Sequence, residues 1–271
     1  MKRMFSVLVS VIIPAMMLGQ TELIRATDGS SVTVEVLIPS FDNAPGSTFS
    51  GMTFVLTGKA IMSGMLSLNI EVPYVQSKSS FSSPFGSGST SKGSVGNIYI
   101  GAGIGSPTGL ISGDVGLRLQ TIKPENSFAA FSGILGDFPN VDRYFSEDNS
   151  ISSVRAGLNI QPSIPGILSI QARVAPAIWI PKSGDEIWVL NYGIGTSYSI
   201  VLVNVAVGVN GILKLNKESW FFSQKDAIHH FQAEANARFG IINPGVMFRV
   251  PLDKELDATK FTLGFYVGLV F

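Results

Sequence analysis

Residues 260–271 read KFTLGFYVGLVF and carry the clearest structural signal in the chain. Apolar side chains recur there at every second position, namely Phe261, Leu263, Phe265, Val267, Leu269 and Phe271. Successive side chains of a β-strand point to opposite faces, whereas a helix would scatter such positions around its axis. The segment therefore predicts a strand with one continuous apolar face.

The same alternation recurs throughout the chain. In residues 203–210, four valines alternate with small or polar side chains. Comparable segments are 32–37, 52–61, 66–74, 95–104, 109–120, 154–161, 168–180, 188–198, 230–239 and 245–250. With the terminal segment these make twelve strands. They predict an all-β fold, a transmembrane antiparallel up-and-down β-barrel of about 12 strands with a polar lumen.

The connections between these strands alternate between short and long. The short ones carry turn residues, as in SPTG at 106–109, SIPG at 163–166 and INPG at 242–245. A barrel with both chain ends in the periplasm alternates short turns with long external loops, and a soluble sandwich has no such parity. We expect a barrel over residues 21–271, in which 21–31 form a short N-terminal tail. The long external loops are expected near residues 77–94, 123–150 and 217–228.

Composition supports a membrane barrel and excludes some other classes of protein. The 271 residues include 29 Gly and only 14% charged residues, and the mean hydropathy is +0.34. Lys and Arg number 19, as do Asp and Glu, so no basic field predicts a nucleic-acid partner. The chain has no Cys and therefore no disulfide.

The N-terminal residues 1–20 predict a cleaved secretory signal peptide. Lys2 and Arg3 precede an apolar stretch over residues 4–18, and Gly19 is a small residue near the expected cleavage site. A transmembrane anchor is the alternative, but the stretch is interrupted by Pro14 and is shorter than the roughly 20 residues that a spanning helix needs. Export and a barrel together predict an outer-membrane location.

The face opposite the apolar one predicts which side chains line the lumen. Its charged members are Lys59, Glu71, Asp114, Arg118, Arg155, Arg173, Glu234, Arg238 and Arg249. Six of these are basic and three acidic, which predicts a weak preference for anions if the lumen conducts.

No motif in the chain predicts a cofactor, a metal site or an enzyme. The two histidines, His229 and His230, are adjacent in a strand and point to opposite faces, so they do not form a metal site together. GAGIG at 101–105 lies within a strand and no helix follows it, which excludes a dinucleotide fingerprint. Inward Gly101 and Gly103 instead relieve curvature or admit a bulky neighbour such as Tyr99 or Arg118.

Residues 68–80, LNIEVPYVQSKSS, followed by 94–105, SVGNIYIGAGIG, resemble the outer-membrane family named for the meta-pathway of phenol degradation. The resemblance rests on the Val72-Pro73-Tyr74 triplet at a strand end and on Gly96 and Asn97 at the start of the next strand. Asn97 stands where the family usually has Asp. The resemblance implies a transporter-like barrel for small aromatic or hydrophobic compounds.

These features predict an outer-membrane channel or facilitator for small solutes. One alternative is a structural or adhesion barrel that acts through its external loops, chiefly residues 123–150 with Asp137, Asp142, Glu147 and Asp148. A further alternative is a barrel-embedded hydrolase that uses His230. The expected partners are the lipid bilayer, a small-molecule solute and the barrel-assembly machinery. The terminal Phe271 resembles the signature that this machinery reads.

Overall fold

The computed structural model describes residues 29–63, 65–84, 86–105, 110–144, 151–164, 168–180, 185–216, 227–254 and 258–271. The predicted signal peptide and most of the expected N-terminal tail lie outside these ranges, as do residues 145–150 and 217–226 of the predicted long loops.

The described part of the chain is mostly β-structure. Its strands are β1 (Ser31–Phe41), β2 (Ser47–Ser63), β3 (Leu66–Ser83), β4 (Gly86–Val95), β5 (Ile98–Gly105), β6 (Ile111–Leu119), β7 (Ile151–Ile160), β8 (Ser163–Ile164), β9 (Leu168–Trp179), β10 (Ile187–Ile200), β11 (Val203–Lys214), β12 (Ala227–Ala237), β13 (Ile242–Pro251) and β14 (Thr259–Val270). Between β6 and β7 lie a short 3-10 helix (Pro124–Asn126), helix α1 (Ser127–Gly136) and a second 3-10 helix (Phe138–Arg143). No described helix has the length and apolarity needed to cross a bilayer.

Twelve of these strands form a closed antiparallel barrel. Each pairs with its neighbours in chain order, except that β4 and β8 stand outside the ring, and β14 pairs with β1 to close it. Closure matters because a bilayer offers no water to unpaired backbone groups, and a barrel has no free edge. The predicted twelve-stranded antiparallel barrel is confirmed.

The two faces of the wall differ as the alternation predicts. In β14, Phe265 and Val267 are about half exposed on the outer face, while Tyr266 between them is buried in the interior. The register brings Val34 of β1 beside Val267, so the apolar positions of adjacent strands form a continuous outer belt. An apolar belt outside a polar interior is the pattern of a lipid-embedded barrel.

We name the two ends of the barrel by their connections. The turn end carries the short connections and both ends of the described chain, and the loop end carries the longer connections. The predicted turn at residues 242–245 is wrong, because β13 begins at Ile242 and Pro244 pairs with Val267. The chain turns before Ile242, where Gly240 has a φ of +61°, a conformation that glycine adopts without steric strain.

At the loop end, most of the predicted loop at 77–94 is regular structure. Strands β3 and β4 continue past the barrel as a hairpin, paired from Tyr74 and Val95 to Ser83 and Gly86. The hairpin is rich in serine and glycine, and most of its side chains are exposed.

Candidate functional site

The segment between β6 and β7 folds into the barrel, and we call residues 121–144 the plug. Most of its side chains from Ala129 to Tyr144 are buried. Its helix α1 approaches the wall closely because small residues line the contact. A Cβ atom added at Gly136 would lie 2.8 Å from Cγ of Pro39 in β1, and one added at Gly51 in β2 would collide with Ser132.

This placement differs from the external loop that the sequence predicts for residues 123–150. Asp137, Asp142 and Arg143 look like solvated loop residues in the sequence, but in the structure all three are buried. Buried charged groups require partners, and those partners are inward residues of distant strands. Two of the acidic residues assigned to an adhesive loop therefore lie inside the barrel.

Asn97, between β4 and β5, joins the two ends of the plug. Its backbone N–H donates to the carbonyl oxygen of Arg143 at 2.6 Å, and its side-chain nitrogen donates to the carbonyl oxygen of Asp142 at 2.9 Å. Its side-chain oxygen accepts a hydrogen bond from the backbone N–H of Thr121 at 3.2 Å. An ionised aspartate side chain at this position would have no N–H to donate to Asp142. Asn97 is thus suited to anchor the plug.

Glu71 in β3 links the wall to the plug through two arginines. Arg143 of the plug donates to both carboxylate oxygens of Glu71, from Nε and Nη2, each at 2.8 Å. Arg118 in β6 donates from Nη1 to Oε1 of the same carboxylate at 2.6 Å. The two-point geometry of Arg143 fixes the angle of the plug as well as its position.

Asp142 places a second carboxylate of the plug against the same wall. Its Oδ2 lies 2.8 Å from Nε of Arg118 and accepts a hydrogen bond from the Ser153 hydroxyl at 3.0 Å. Burial raises the pKa of Asp142, but the Arg118 and Arg155 guanidiniums together hold that pKa below its ordinary value. Asp142 is therefore a carboxylate anion in the docked plug.

Asp137 connects the plug to β13, a strand on the other side of β1 from β3 and β6. It pairs with Arg143 of the plug, and Nη1 of Arg249 in β13 donates to its Oδ1 at 2.7 Å. Burial raises the pKa of Asp137 to about 6, although Arg143 opposes this rise. Asp137 is the carboxylate of the plug that titrates near neutral pH.

The other side of the plug is apolar. Phe138 and Val141 belong to one buried cluster with Trp179 of β9, Val189 of β10 and Ile212 of β11. The ion pairs of the plug thus lie on one half of the wall, whereas its contacts with β9, β10 and β11 are apolar. It spans the lumen near the loop end.

On the turn-end side of the charged contacts, the wall holds a stacked pair. The Arg155 guanidinium lies 4.2 Å from the centre of the Tyr99 ring. A Cβ atom at Gly101 or Gly116 would collide with this ring, so the paired glycines admit it. This confirms the sequence-based explanation of Gly101. Nearby, Arg173 donates from Nη1 to Asp114 at 2.9 Å and to Asn159 at 2.9 Å.

Eight of the nine predicted lumen residues are buried on the inner face of the wall, namely Lys59, Glu71, Asp114, Arg118, Arg155, Arg173, Glu234 and Arg249. Arg238 lies beyond the end of β12 at Ala237, where it is exposed at the turn end.

Sequence reasoning missed Glu35, although it alternates with outward valines in β1. It also missed the three plug residues Asp137, Asp142 and Arg143, whose burial has no local signature.

With these additions, the buried charges among the described residues balance. The cations are Lys59, Arg118, Arg143, Arg155, Arg173 and Arg249, and the carboxylates are Glu35, Glu71, Asp114, Asp137, Asp142 and Glu234. The wall alone supplies five of these six cations and four of these six carboxylates. The plug therefore removes the one excess cation of the wall, whereas inward Glu35 and the exposed position of Arg238 account for the rest of the cationic excess that the sequence predicts.

The histidines point to opposite faces of β12, as predicted. His230 is buried inside, whereas His229 lies on the outer face near the loop end. His229 shares a hydrogen bond between Nε2 and the Tyr192 hydroxyl at 2.6 Å, and its Nδ1 lies 3.0 Å from Asp253. His229 thus lies between a carboxylate and a tyrosine hydroxyl. In a hydrolytic triad the hydroxyl in this position belongs to a serine nucleophile. Within the described ranges, no group of three His, Cys, Asp or Glu side chains is arranged to hold a metal ion.

Comparisons with known proteins agree with this architecture. No protein-family model matches the chain, and no curated protein matches it. Among solved structures, the COG4313 outer membrane channel from Pseudomonas putida F1 superposes with a TM-score of 0.57 at 14% identity, covering 94% of this chain and 100% of that one. The NanC porin gives 0.51 at 10% identity over 89% of this chain and 98% of its own. The KdgM porin gives 0.50 at 10% identity, with 89% and 99% covered.

At these identities the likeness establishes the fold, that of outer-membrane β-barrels. Combined with the apolar outer belt, it places the chain in an outer membrane.

Proposed function

We propose that this protein is an outer-membrane channel for small solutes and that the plug controls its opening. The observation that carries the proposal is the lumen itself, which holds twelve buried charged side chains of the wall and plug. A pathway for solutes needs a wall that water can wet once the plug moves.

The contacts of the plug suit a movable element. Its ion pairs with Glu71 and Arg249 can be exchanged for water, and buried ion pairs contribute little net stability because desolvation offsets their attraction. Twelve strands enclose a narrower lumen than the 16 or more of open porins, so a single helical segment is enough to obstruct it.

The resemblance to the family named for phenol degradation supports a small aromatic or hydrophobic solute. We further propose that residues 1–20 are removed on export, that the terminal strand with Phe271 directs assembly, and that the loop end faces the cell exterior. Release of the plug would then open the lumen toward the outside.

Conductance in planar lipid bilayers tests this proposal. The Arg143→Gln variant loses the two-point contact with Glu71 and the pair with Asp137. We expect this variant to conduct more often than the unaltered protein. The matched control is Lys260→Gln, which removes an exposed pair with Asp42 (N to O, 3.0 Å) at the loop end and should leave conductance unchanged.

A folded Arg143→Gln barrel that neither conducts nor makes liposomes permeable to small solutes would refute the channel. Folding is checked by the shift in gel mobility that folded barrels show before and after heating.

A further inference from the structure

One row of the inner wall combines a stacked arginine with unused hydrogen-bonding groups. The strand register aligns Asn69 of β3, Gly101 of β5, Gly116 of β6 and Arg155 of β7. The Tyr99 ring covers the two glycines, so it lies between Asn69 and Arg155.

This row has more donors than acceptors. All three guanidinium nitrogens of Arg155, both polar atoms of the Asn69 side chain and the Tyr99 hydroxyl are buried without a hydrogen-bond partner in the described structure. Leaving such groups unsatisfied is costly in a barrel interior, and most of all for a cation. The chemistry of the row therefore calls for an acceptor that carries negative charge.

The plug brings such a charge to this part of the wall, the Asp142 carboxylate. It contacts Arg118 and Ser153 and acts electrostatically on Arg155. The two wall carboxylates that act on Arg155 are already engaged, because Asp114 accepts hydrogen bonds from Arg173 and Glu71 accepts them from Arg118 and Arg143. Arg118 and Arg155 of the wall thus interact with a carboxylate that belongs to the plug, the segment proposed to move.

Val141, the residue before the charged Asp142, is apolar and buried. Val141 is 1% exposed and lies in the apolar cluster with Trp179 and Val189. Ser153 pairs in register with Trp179, so the carboxylate contact and the apolar contact are adjacent on the wall. Val141 and Asp142 together present an apolar body joined to a carboxylate.

We propose that Arg118, Arg155 and Ser153 bind the carboxylate of a small organic acid, whose apolar body rests against Trp179, and that Val141 and Asp142 of the plug occupy this site as a tethered competitor. This deepens the proposed channel function by naming its solute class.

Charge balance favours a single carboxylate over a dianion such as phosphate. Without the plug, the buried wall residues comprise five cations (Lys59, Arg118, Arg155, Arg173 and Arg249) and four carboxylates (Glu35, Glu71, Asp114 and Glu234). One added negative charge neutralises this set, and a second would be in excess.

Binding of benzoate to the purified, folded barrel, followed by isothermal titration calorimetry, tests the site. Asp142→Asn removes the competing charge with little change of shape, and we expect it to tighten benzoate binding about tenfold. Adding Arg155→Gln to this variant should weaken binding about tenfold or more, because a charged hydrogen-bond donor is lost. The control Arg238→Gln makes the same substitution at an exposed position and should change nothing.

Benzyl alcohol and acetate serve as probes that separate the carboxylate from the apolar body. Benzyl alcohol, which lacks the charge, should bind weakly and be insensitive to Arg155→Gln, and acetate should bind more weakly than benzoate. If Arg155→Gln fails to fold, Arg155→Lys keeps the charge and loses the planar donor set, and it should still weaken benzoate binding.

Equal benzoate affinity in the unaltered protein and in Asp142→Asn, or no effect at Arg155, would overturn the site. Bilayer conductance of the same preparations distinguishes the two proposals. Conductance without benzoate binding refutes only the carboxylate site. Benzoate binding without conductance in any variant refutes the channel.

Discussion

The two halves of the barrel wall hold the plug in different ways. Strands β3, β6 and β13 meet it with ion pairs through Glu71, Arg118 and Arg249, whereas β9 to β12 meet it with apolar residues of the buried cluster, to which β3 adds Val75. Ion pairs are directional, so the first half sets the position of the plug. Apolar contacts are not directional, so the second half favours burial without fixing the register of the contact. The charged half should therefore show the sharper response to substitution.

The largest effect is expected from Glu71→Ala in the charged half. It leaves Arg118 and Arg143 buried beside each other without their shared carboxylate. Breaking a buried ion pair on one side costs about 3–5 kcal/mol. We expect a loss of that order in the free energy of unfolding, measured by urea titration in lipid vesicles.

The control for this experiment is Glu125→Ala, which removes an exposed carboxylate from the start of the plug. A Glu71→Ala barrel as stable as the Glu125→Ala control would show that the charged half does not hold the plug.

Val141→Ala tests the apolar half. It removes two buried methyl groups from the cluster near Trp179 and Val189, which corresponds to about 2 kcal/mol of burial. Since each 1.4 kcal/mol is tenfold in an equilibrium, we expect the open fraction in single-channel records to rise at least tenfold, with unchanged unit conductance.

Phe131→Ala is a suitable comparison, because this α1 residue is 45% exposed. If Val141→Ala alters the open fraction no more than Phe131→Ala does, the apolar half contributes nothing to closure.

The smallest expected effect is the pH response of Asp137, which faces Arg143, Arg249 and Glu35. Its pKa of about 6 in the docked plug lies above the ordinary value of 3.8, so docking favours the protonated form. The resulting stabilisation is fully present below about pH 4 and is lost as pH rises through 6. The open fraction should fall several-fold from pH 7 to pH 5, and Asp137→Asn should abolish this change. A pH response that persists in Asp137→Asn would assign it to another group.

The fold was largely predictable because its signal is local. Each strand is predicted by its own period-two alternation. The outer belt follows from residues such as Phe265 and Val267, and predicting it does not require knowing which strands are adjacent in the barrel. The prediction of a turn at 242–245 was wrong because it rested on residue type alone. Pro244 and Gly245 are common turn residues, but here Pro244 and Gly245 pair with Val267 and Tyr266 inside the barrel wall.

The site was predictable only in part. Eight inward charges could be assigned from parity alone, because a strand residue has just two faces available. The plug offered no such restriction. Arg143 contacts Glu71 across 72 residues of sequence, and Asp137 contacts Arg249 across 112 residues. The local sequence around these residues does not predict either contact.

Alternation along the chain was thus sufficient to establish an outer-membrane barrel with a charged interior, because the contrast between lipid and water acts on every residue separately. Closing the ring brought Glu71, Arg118 and Arg249 within reach of one segment between β6 and β7. That convergence, which exists only in three dimensions, turned an expected external loop into a plug whose net negative charge balances the one excess cation of the wall.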